Sequence, residues 1–598
     1  MTSVSDLEHI CGISCRLSTH PLFKAELKRY YEDFHVKEVS LQGELATPTH
    51  LLSRNEVQSQ LKSDKEVVAE PTDWSTVDLT PLAELLDVSE AERVRTAFSQ
   101  GEASVLLSEI SDKTRRTAVH QLVKASLSFL FTDTVEDGDR KFIRVWTRSS
   151  YQTAQKEERK FVATSGGKKR KFEDPKQAAV RFADPWPADR PEFLRFVLHK
   201  ENRDTAECLG LLARCARKFP KIFCAAGLKD RRGVTSQFVT AQKISREQLQ
   251  RVVLHPDWDG RSVKISDFSY VAESLRPGML SGNLFQVVLR GVEHLDHVET
   301  AIGNLKATGF LNFFGLQRFG TGNFRTHEIG APMLNKDWEQ VCRKLLGEKF
   351  PITAEDASRE IEKIWKLDRK LQSVLRTESE ILRSLAEEPG NFQVAVNSAI
   401  KQKSLYFHAL QSFLFNRALS HRIQVHGKNV VVGDLVKIED DVVFVDETNI
   451  NNYRLTDVVL PLPGGAIPFY PMNGCDRKFF QSLLDELDVQ LETVESQLPG
   501  AYRKIAEIPG DLEYRVVEGP EAAKIRLIES DIGKFLPPSD REEPVEKSFD
   551  GKPAIVLSCR LPSSAYLTMA VREIAVETSS HKLQQVAAAE PEADVEEL

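Results

Sequence analysis

Apolar and polar positions change period many times along the chain. Residues 222–226 form a short unbroken apolar run of the kind a buried strand makes, Gly227 interrupts it, and 234–239 alternates with the period of a second strand. Upstream, 193–199 has strand character, and 205–219, with Leu209, Leu212, Cys215 and Ala216 at helical spacing, predicts an amphipathic helix. Phe34 and Val36, followed by Glu38, fall on one face of a strand near the start. Downstream, 282–290 is a strongly patterned strand, 298–308 a helix ended by Gly309, and 397–423 a long helix. A hairpin over 430–437 and 442–446, a helix over 476–488 and a strand over 553–561 follow. The mixture is α+β.

Three stretches stand apart from this order. Thr80 and Pro81 open a helix, 89–99 continues helically, and Leu122, Leu127, Leu130 and Phe131 make an apolar stripe, which together predict a helical insertion over 45–135. Residues 149–176 are too polar and charged to support a core and read as a flexible loop, and 583–598 reads as a disordered acidic tail.

A length of 598 residues exceeds one core and predicts two or three domains. The chain has no apolar run long enough to span a membrane, and its first sixteen residues do not resemble a secretory signal; an intracellular protein with no membrane role is expected. Eight scattered cysteines predict reduced thiols and no structural metal. The net charge of −8 requires that any RNA be met by local positive potential rather than bulk charge. The run Lys168-Lys169-Arg170-Lys171 is a candidate import signal or phosphate contact, giving an expected location in the nucleus, with the cytoplasm second.

The candidate chemistry begins at Asp230, in the turn between two strands and flanked by Lys229, Arg231 and Arg232. Neighbouring cations favour the ionised carboxylate, which can then act as a nucleophile. A second cluster, 310–320, concentrates aromatics, a side-chain amide and an arginine between glycines, as a surface that stacks and hydrogen-bonds a nucleobase would.

Gly227-x-Lys229-Asp230-Arg231-x-x-Val234-Thr235-x-Gln237 resembles the signature of the TruD family of pseudouridine synthases. Four further stretches resemble that family in its own order. They are Lys28-x-x-x-Glu32-Asp33-Phe34-x-Val36-x-Glu38, with Tyr31 where a proline is common; Gly282-Asn283-x-Phe285-x-x-x-Leu289-Arg290; Asn312-Phe313-Phe314-Gly315-x-Gln317-Arg318-Phe319-Gly320; and the closing 562–574, where Tyr566 replaces the usual bacterial phenylalanine. The resemblance implies a catalytic fold of mixed, mainly antiparallel sheet with flanking helices, built from 1–44, 136–308 and 530–582, with an inserted α+β TRUD domain over 309–529. The extra insertions point to the eukaryotic branch.

The implied activity is isomerisation of uridine to pseudouridine in tRNA, with messenger and small nuclear RNA as further substrates, and no metal or other cofactor. By the same resemblance Asp230 is the nucleophile, Lys28 pairs with it, Phe34, Phe314 and Tyr566 stack on an extruded base, and Asn312 fixes the uracil edge or the RNA backbone. A monomer is expected, since no helix carries a sustained heptad seam. Two alternatives remain: an inactive RNA-binding chaperone of the same fold, which would bind tRNA without forming pseudouridine, and a retaining glycosidase pairing Asp230 with Glu32 or Asp33. The second leaves the aromatic cluster unexplained.

Overall fold

The computed structural model describes residues 4–578 apart from 64–70, 155–185, 321–323, 348–353, 367–374, 536–549 and the single positions 72, 128, 139, 148, 152 and 440. The basic run at 168–171 and the acidic tail at 583–598 lie outside the described residues. The chain divides into two compact units, Met1–Leu51 with Pro191–Leu598, and Leu52–Arg190.

A ten-stranded mixed sheet forms the centre of the larger unit. Its main path runs Gly510–Val517, Ala554–Pro562, Leu280–Glu293, Phe34–Ser40, Val234–Gln242, Phe193–Glu201, Val263–Val271. Neighbours on this path are antiparallel except for Phe34–Ser40 and Val234–Gln242, which run parallel with His35 opposite Val234 and Lys37 opposite Ser236. Strands covered on both faces lose the alternating pattern: Val287, Val288 and Leu289 are all fully buried, so apolar residues run unbroken over 287–289 inside the patterned stretch 282–290. Helices Val298–Thr308 and Leu567–Ile574 share the main core with the sheet, through Ala301, Ile302 and Leu305 on one and Leu567, Val571 and Ile574 on the other.

The parallel pair decides where a site can form. Because both strands start at the same end of the sheet, the segments entering them, 28–33 and 226–233, lie side by side. Gly233 marks how close they come: a Cβ there would sit 2.7 Å from the Phe34 carbonyl oxygen. A side chain at this position would force the two segments apart.

The chain's two ends are also tied together here. Strand Phe23–Leu27, which leads into Lys28, pairs in parallel with Ala575–Glu577. The buried Glu573 carboxylate accepts hydrogen bonds from the backbone of Leu17 and Ser18, at 3.1 and 3.0 Å, and Arg572 pairs with Glu8 at 2.9 Å. The arginine and glutamate of the closing motif thus fasten the N-terminal segment.

Within 309–529, the helix Ser404–His426 and a four-stranded antiparallel sheet, ordered Asp441–Phe444, Leu435–Ile438, Val458–Leu462, Ala501–Lys504, contribute to the same main core. The long helix expected over 397–423 is two, Phe392–Ala399 and Ser404–His426, separated where Ile400 turns extended. Strand Gly510–Val517, inside the boundaries expected for the inserted domain, instead forms the edge of the large sheet. Only Leu512 and Val517 on it are buried, so its apolar positions are too few to show a period in sequence.

The smaller unit packs helices Val88–Ser99 and Lys113–Ser126 with a three-stranded antiparallel sheet, Ser104–Glu109, Arg140–Thr147, Leu130–Asp137, around Val94, Phe98, Val119, Ile143 and Val145. It is therefore not purely helical, and strand Arg140–Thr147, within the range 136–308 expected for the catalytic fold, belongs to this unit. The apolar stripe misleads because Leu127 and Leu130 continue the helical spacing although the helix ends at Ser126 and Leu130 begins a strand.

Candidate active site

Lys28 follows its strand in a left-handed backbone conformation, φ 63°. A non-glycine residue held there is uncommon and tends to mark a functional position. Its Nζ lies 2.5 Å from Asp230 Oδ2 and 3.7 Å from the centroid of the Phe34 ring, so one cation serves both the carboxylate and an aromatic face. Gln317 Nε2 reaches the same Oδ2 at 3.4 Å. Among the described residues no donor lies on Oδ1, and the Asp230 side chain is 37% exposed, so one carboxylate oxygen is held and the other is open to a ligand. Burial pushes the Asp230 carboxyl up, but the Lys28 charge and hydrogen bond, the Gln317 amide and the Lys200 charge outweigh it and hold it below its ordinary value.

The cations doing this are not those adjacent in sequence. Lys229 turns away to ion-pair with Glu38 at 2.9 Å and to donate to Asn283 Oδ1 at 2.8 Å, and Arg232 donates to the carbonyls of Lys28 and Arg29 at 3.2 and 2.5 Å. Lys200, fully buried, donates to the carbonyls of Arg203, Lys229 and Asp230 at 2.8, 3.3 and 2.8 Å, and burial pulls its pKa down to about 8. Gln237 closes the loop from the other side: it donates to the Gly227 carbonyl at 3.2 Å and accepts from Thr205, whose oxygen accepts the Lys229 backbone N–H. Gln237 of the sequence signature, with Lys200, Thr205 and Arg232 outside it, therefore holds the turn that carries Asp230.

A cavity of about 150 Å³ opens over this pair, lined by Phe34, Val36, Leu228, Asn283, Phe285, Gln317, Tyr566 and Thr568 besides the charged residues. The structure brings Asp230, Lys28, Phe34 and Tyr566 together there. Phe34 is only 4% exposed, with Lys28 over its face and Phe285 at 6.0 Å edge-on, whereas the half-buried Tyr566 presents more ring.

Asn312 and Phe314 are not among the lining residues; they lie one layer behind. Asn312, 3% exposed, accepts from Arg503 at 2.6 Å and donates to the Lys504 carbonyl at 3.1 Å. Arg503 lies 4.1 Å from the Phe314 centroid, and Phe314 packs edge-on against Tyr566 at 6.1 Å. Gly315 lets this turn approach the wall, since a Cβ there would lie 3.3 Å from Tyr566 Cδ1 and Thr568 Oγ1. The motif supports Tyr566 from behind. Asn312→Ala, which leaves a buried guanidinium short of an acceptor, should cost about 1–3 kcal/mol of stability. Denaturant unfolding checks this, and the folded variant should retain activity within a few-fold of the parent.

Sequence reasoning missed Lys200, Asn283 and Gln317. Lys200 carried a visible signal, a lysine ending the apolar strand 193–199. Asn283 and Gln317 stand inside the family motifs, which assign them no role.

An ionised aspartate paired with a lysine at the start of two central strands, beneath an aromatic pocket, suits base chemistry on a nucleotide. Comparison with known proteins agrees. The model of the family described as tRNA pseudouridine synthase D (TruD) matches residues 176–527, more than half of the chain. The chain is 31% identical over 590 residues to the pseudouridylate synthase 7 homolog of Bos taurus, covering 96% of this chain and 82% of that protein. It is 28% identical over 628 residues to the multisubstrate pseudouridine synthase 7 of Schizosaccharomyces pombe, covering 94% and 89%. The chain belongs to the TruD family of pseudouridine synthases and is an isomerase that acts on RNA. Within the family it is of the pseudouridylate synthase 7 type. Among the described residues no helix is long and apolar enough to cross a membrane.

Proposed function

We propose that this enzyme isomerises uridines in tRNA, with messenger and small nuclear RNA as further substrates, and that Asp230 is its reacting group. The observation that carries the site is the open Oδ1 of an ionised Asp230 at the floor of the Tyr566-walled cavity. The reaction breaks the bond from C1′ to N1 and makes one from C1′ to C5. C5 loses a proton and N1 ends with one, so the atoms balance without an oxidant or reductant. Asp230 acts on the ribose, at C1′ as a nucleophile or at C2′ as a base. Lys28 fixes the carboxylate, and the cavity retains the detached uracil while it turns. The target must be extruded from its stack, because the reacting atoms are out of reach of a concave site while the base is inside a helix.

Tyr566 is the ring that meets the extruded base. Tyr566→Ala should lower kcat/KM by about tenfold to a hundredfold, corresponding to about 1–3 kcal/mol of stacking, whereas Tyr566→Phe should stay near the parent. Equal losses would assign the role to the hydroxyl. Phe34 and Phe314 then shape the pocket, one beneath Lys28 and the other behind Tyr566. The substrate list is tested by mapping pseudouridine across cellular RNA with and without the protein; no tRNA position losing its pseudouridine would overturn the tRNA reading. The protein acts as a monomer, checked by sedimentation, and reaches the nucleus through 168–171, checked by replacing those four residues in a tagged chain.

A further inference from the structure

We infer that Arg16 binds a phosphate of the RNA strand beside the target uridine, in a second cavity that adjoins the one above Asp230. The inference rests on the placement of the target at Asp230 and extends the substrate's path from there. The second cavity holds about 130 Å³, where a single water needs about 10–15 Å³. Gln317 and Thr568 line both cavities, so the two are neighbours across this pair of side chains. Gln317 reaches Asp230 Oδ2 at 3.4 Å and also borders the cavity that Arg16 lines. A ribose held at Asp230 carries a phosphate on either side, and one of the two enters the second cavity past Gln317.

Arg16 is the group there that nothing in the fold accounts for. Its side chain is half-buried, its Nε is sealed from solvent, and among the described residues its guanidinium makes no hydrogen bond and no ion pair. The carboxylates whose charges reach it are engaged elsewhere. Glu8 accepts from Arg572 Nε at 2.9 Å, and Glu573 accepts from the backbone of Leu17 and Ser18. Glu577, which also lines the cavity, makes no ion pair with Arg16. Burial pushes the Arg16 pKa down and the charge of Arg572, on the same cavity, pushes it further.

A phosphodiester supplies the missing charge, and its oxygens match the planar fork of a guanidinium. Arg572 has a donor to add: Nε and Nη1 are taken, and among the described residues Nη2 has no partner and is not sealed. Leu316 and Met569 on the walls keep the local dielectric low, which strengthens the attraction. The backbone that presents Arg16 is already fixed on both sides. Arg572 Nη1 donates to the Cys15 carbonyl at 2.7 Å, and the Leu17 N–H donates to Glu573 at 3.1 Å. Little main-chain freedom is therefore lost when the phosphate binds.

The test uses a single-stranded RNA oligomer with one target uridine, and two versions in which the linkage on its 5′ or its 3′ side is a neutral methylphosphonate. Affinity is read by fluorescence anisotropy and single-turnover rate by nucleoside chromatography. The parent enzyme should bind one of the two neutral versions about tenfold to a hundredfold more weakly, the scale of a hydrogen bond to a charged group. R16M should bind the unmodified oligomer more weakly by the same factor, with a salt slope shallower by about 0.7, the share of one phosphate on a single strand. In R16M the penalty at that linkage should disappear, because the two changes remove the same contact. Arg16→Lys, which keeps the charge without the fork, should recover part of the affinity. No penalty at either linkage in the parent, an equal penalty in R16M, or a loss in R16M that follows the flanking bases rather than the linkage would overturn the inference. The parent arms need no variant to fold. Failure of the Asp230 reading shows separately, as full activity after Asp230→Asn with the linkage penalty unchanged.

Discussion

Asp230→Asn should yield a folded protein whose rate of pseudouridine formation falls by about 10³- to 10⁴-fold, the scale of a positioned acid–base group. The amide keeps the shape and can still meet Lys28 and Gln317 through its oxygen, but it offers no charge and no nucleophilic or basic oxygen to the ribose. Folding should survive because the side chain is partly exposed and its loop is held by backbone contacts to Lys200, Gln237 and Thr205 rather than by the carboxylate. Single-turnover conversion of a tRNA transcript measures the rate, and a circular dichroism melt confirms the fold. A rate within tenfold of the parent would remove Asp230 from the chemistry.

The second large effect belongs to a residue that never meets the substrate. Lys200→Met should lower the rate by about a hundredfold, the penalty that a misplacement near 1 Å can carry, because two carbonyls of the Asp230 turn, and that of Arg203, lose their common donor. The native lysine gives a second readout. As pH rises through about 8 its ammonium loses a proton and can satisfy at most two of the three carbonyls, so the rate should fall on an alkaline limb near that pH. The sign on stability is opposite. With a folded pKa near 8 and an ordinary value of 10.5, the unfolded chain binds more protons between the two, so Lys200 adds to stability as pH rises through that window. Activity should therefore decline while the melting temperature does not follow it down. A parallel collapse of both, or an unchanged limb in Lys200→Met, would refute the assignment.

What could be read in sequence divides along the range of the interactions. The strands flanking Asp230, the helix Val298–Thr308 with its terminating Gly309, and the pairing of Lys28 with Asp230 follow from local pattern or from short motifs whose residues act together. The motif puts Asn312 and Phe314 at the site, but a motif does not say which of its residues face the ligand. The amide and ring sit behind Tyr566, and Arg503, far away in sequence, completes their cluster. Lys229 shows the same limit in reverse: adjacent to Asp230 in sequence, it serves Asn283 across the sheet. Nothing in a periodicity reveals that Leu130 starts a strand rather than extending a helix, since one turn of helix and the start of a strand both suit a leucine there.

The parallel pairing of Phe23–Leu27 with Ala575–Glu577 gives the enzyme a late-closing assembly. A nascent chain on the ribosome exposes Lys28 early, yet the strand that delivers it gains that neighbour only when residues near the opposite terminus emerge, and such distant contacts are slow to form. Truncation just before Leu567 should thus free the segment around Leu17 and Ser18 from Glu573 and leave Leu280–Glu293 as the remaining described strand partner of Phe23–Leu27, so that partly synthesised molecules hold Lys28 less firmly against Asp230.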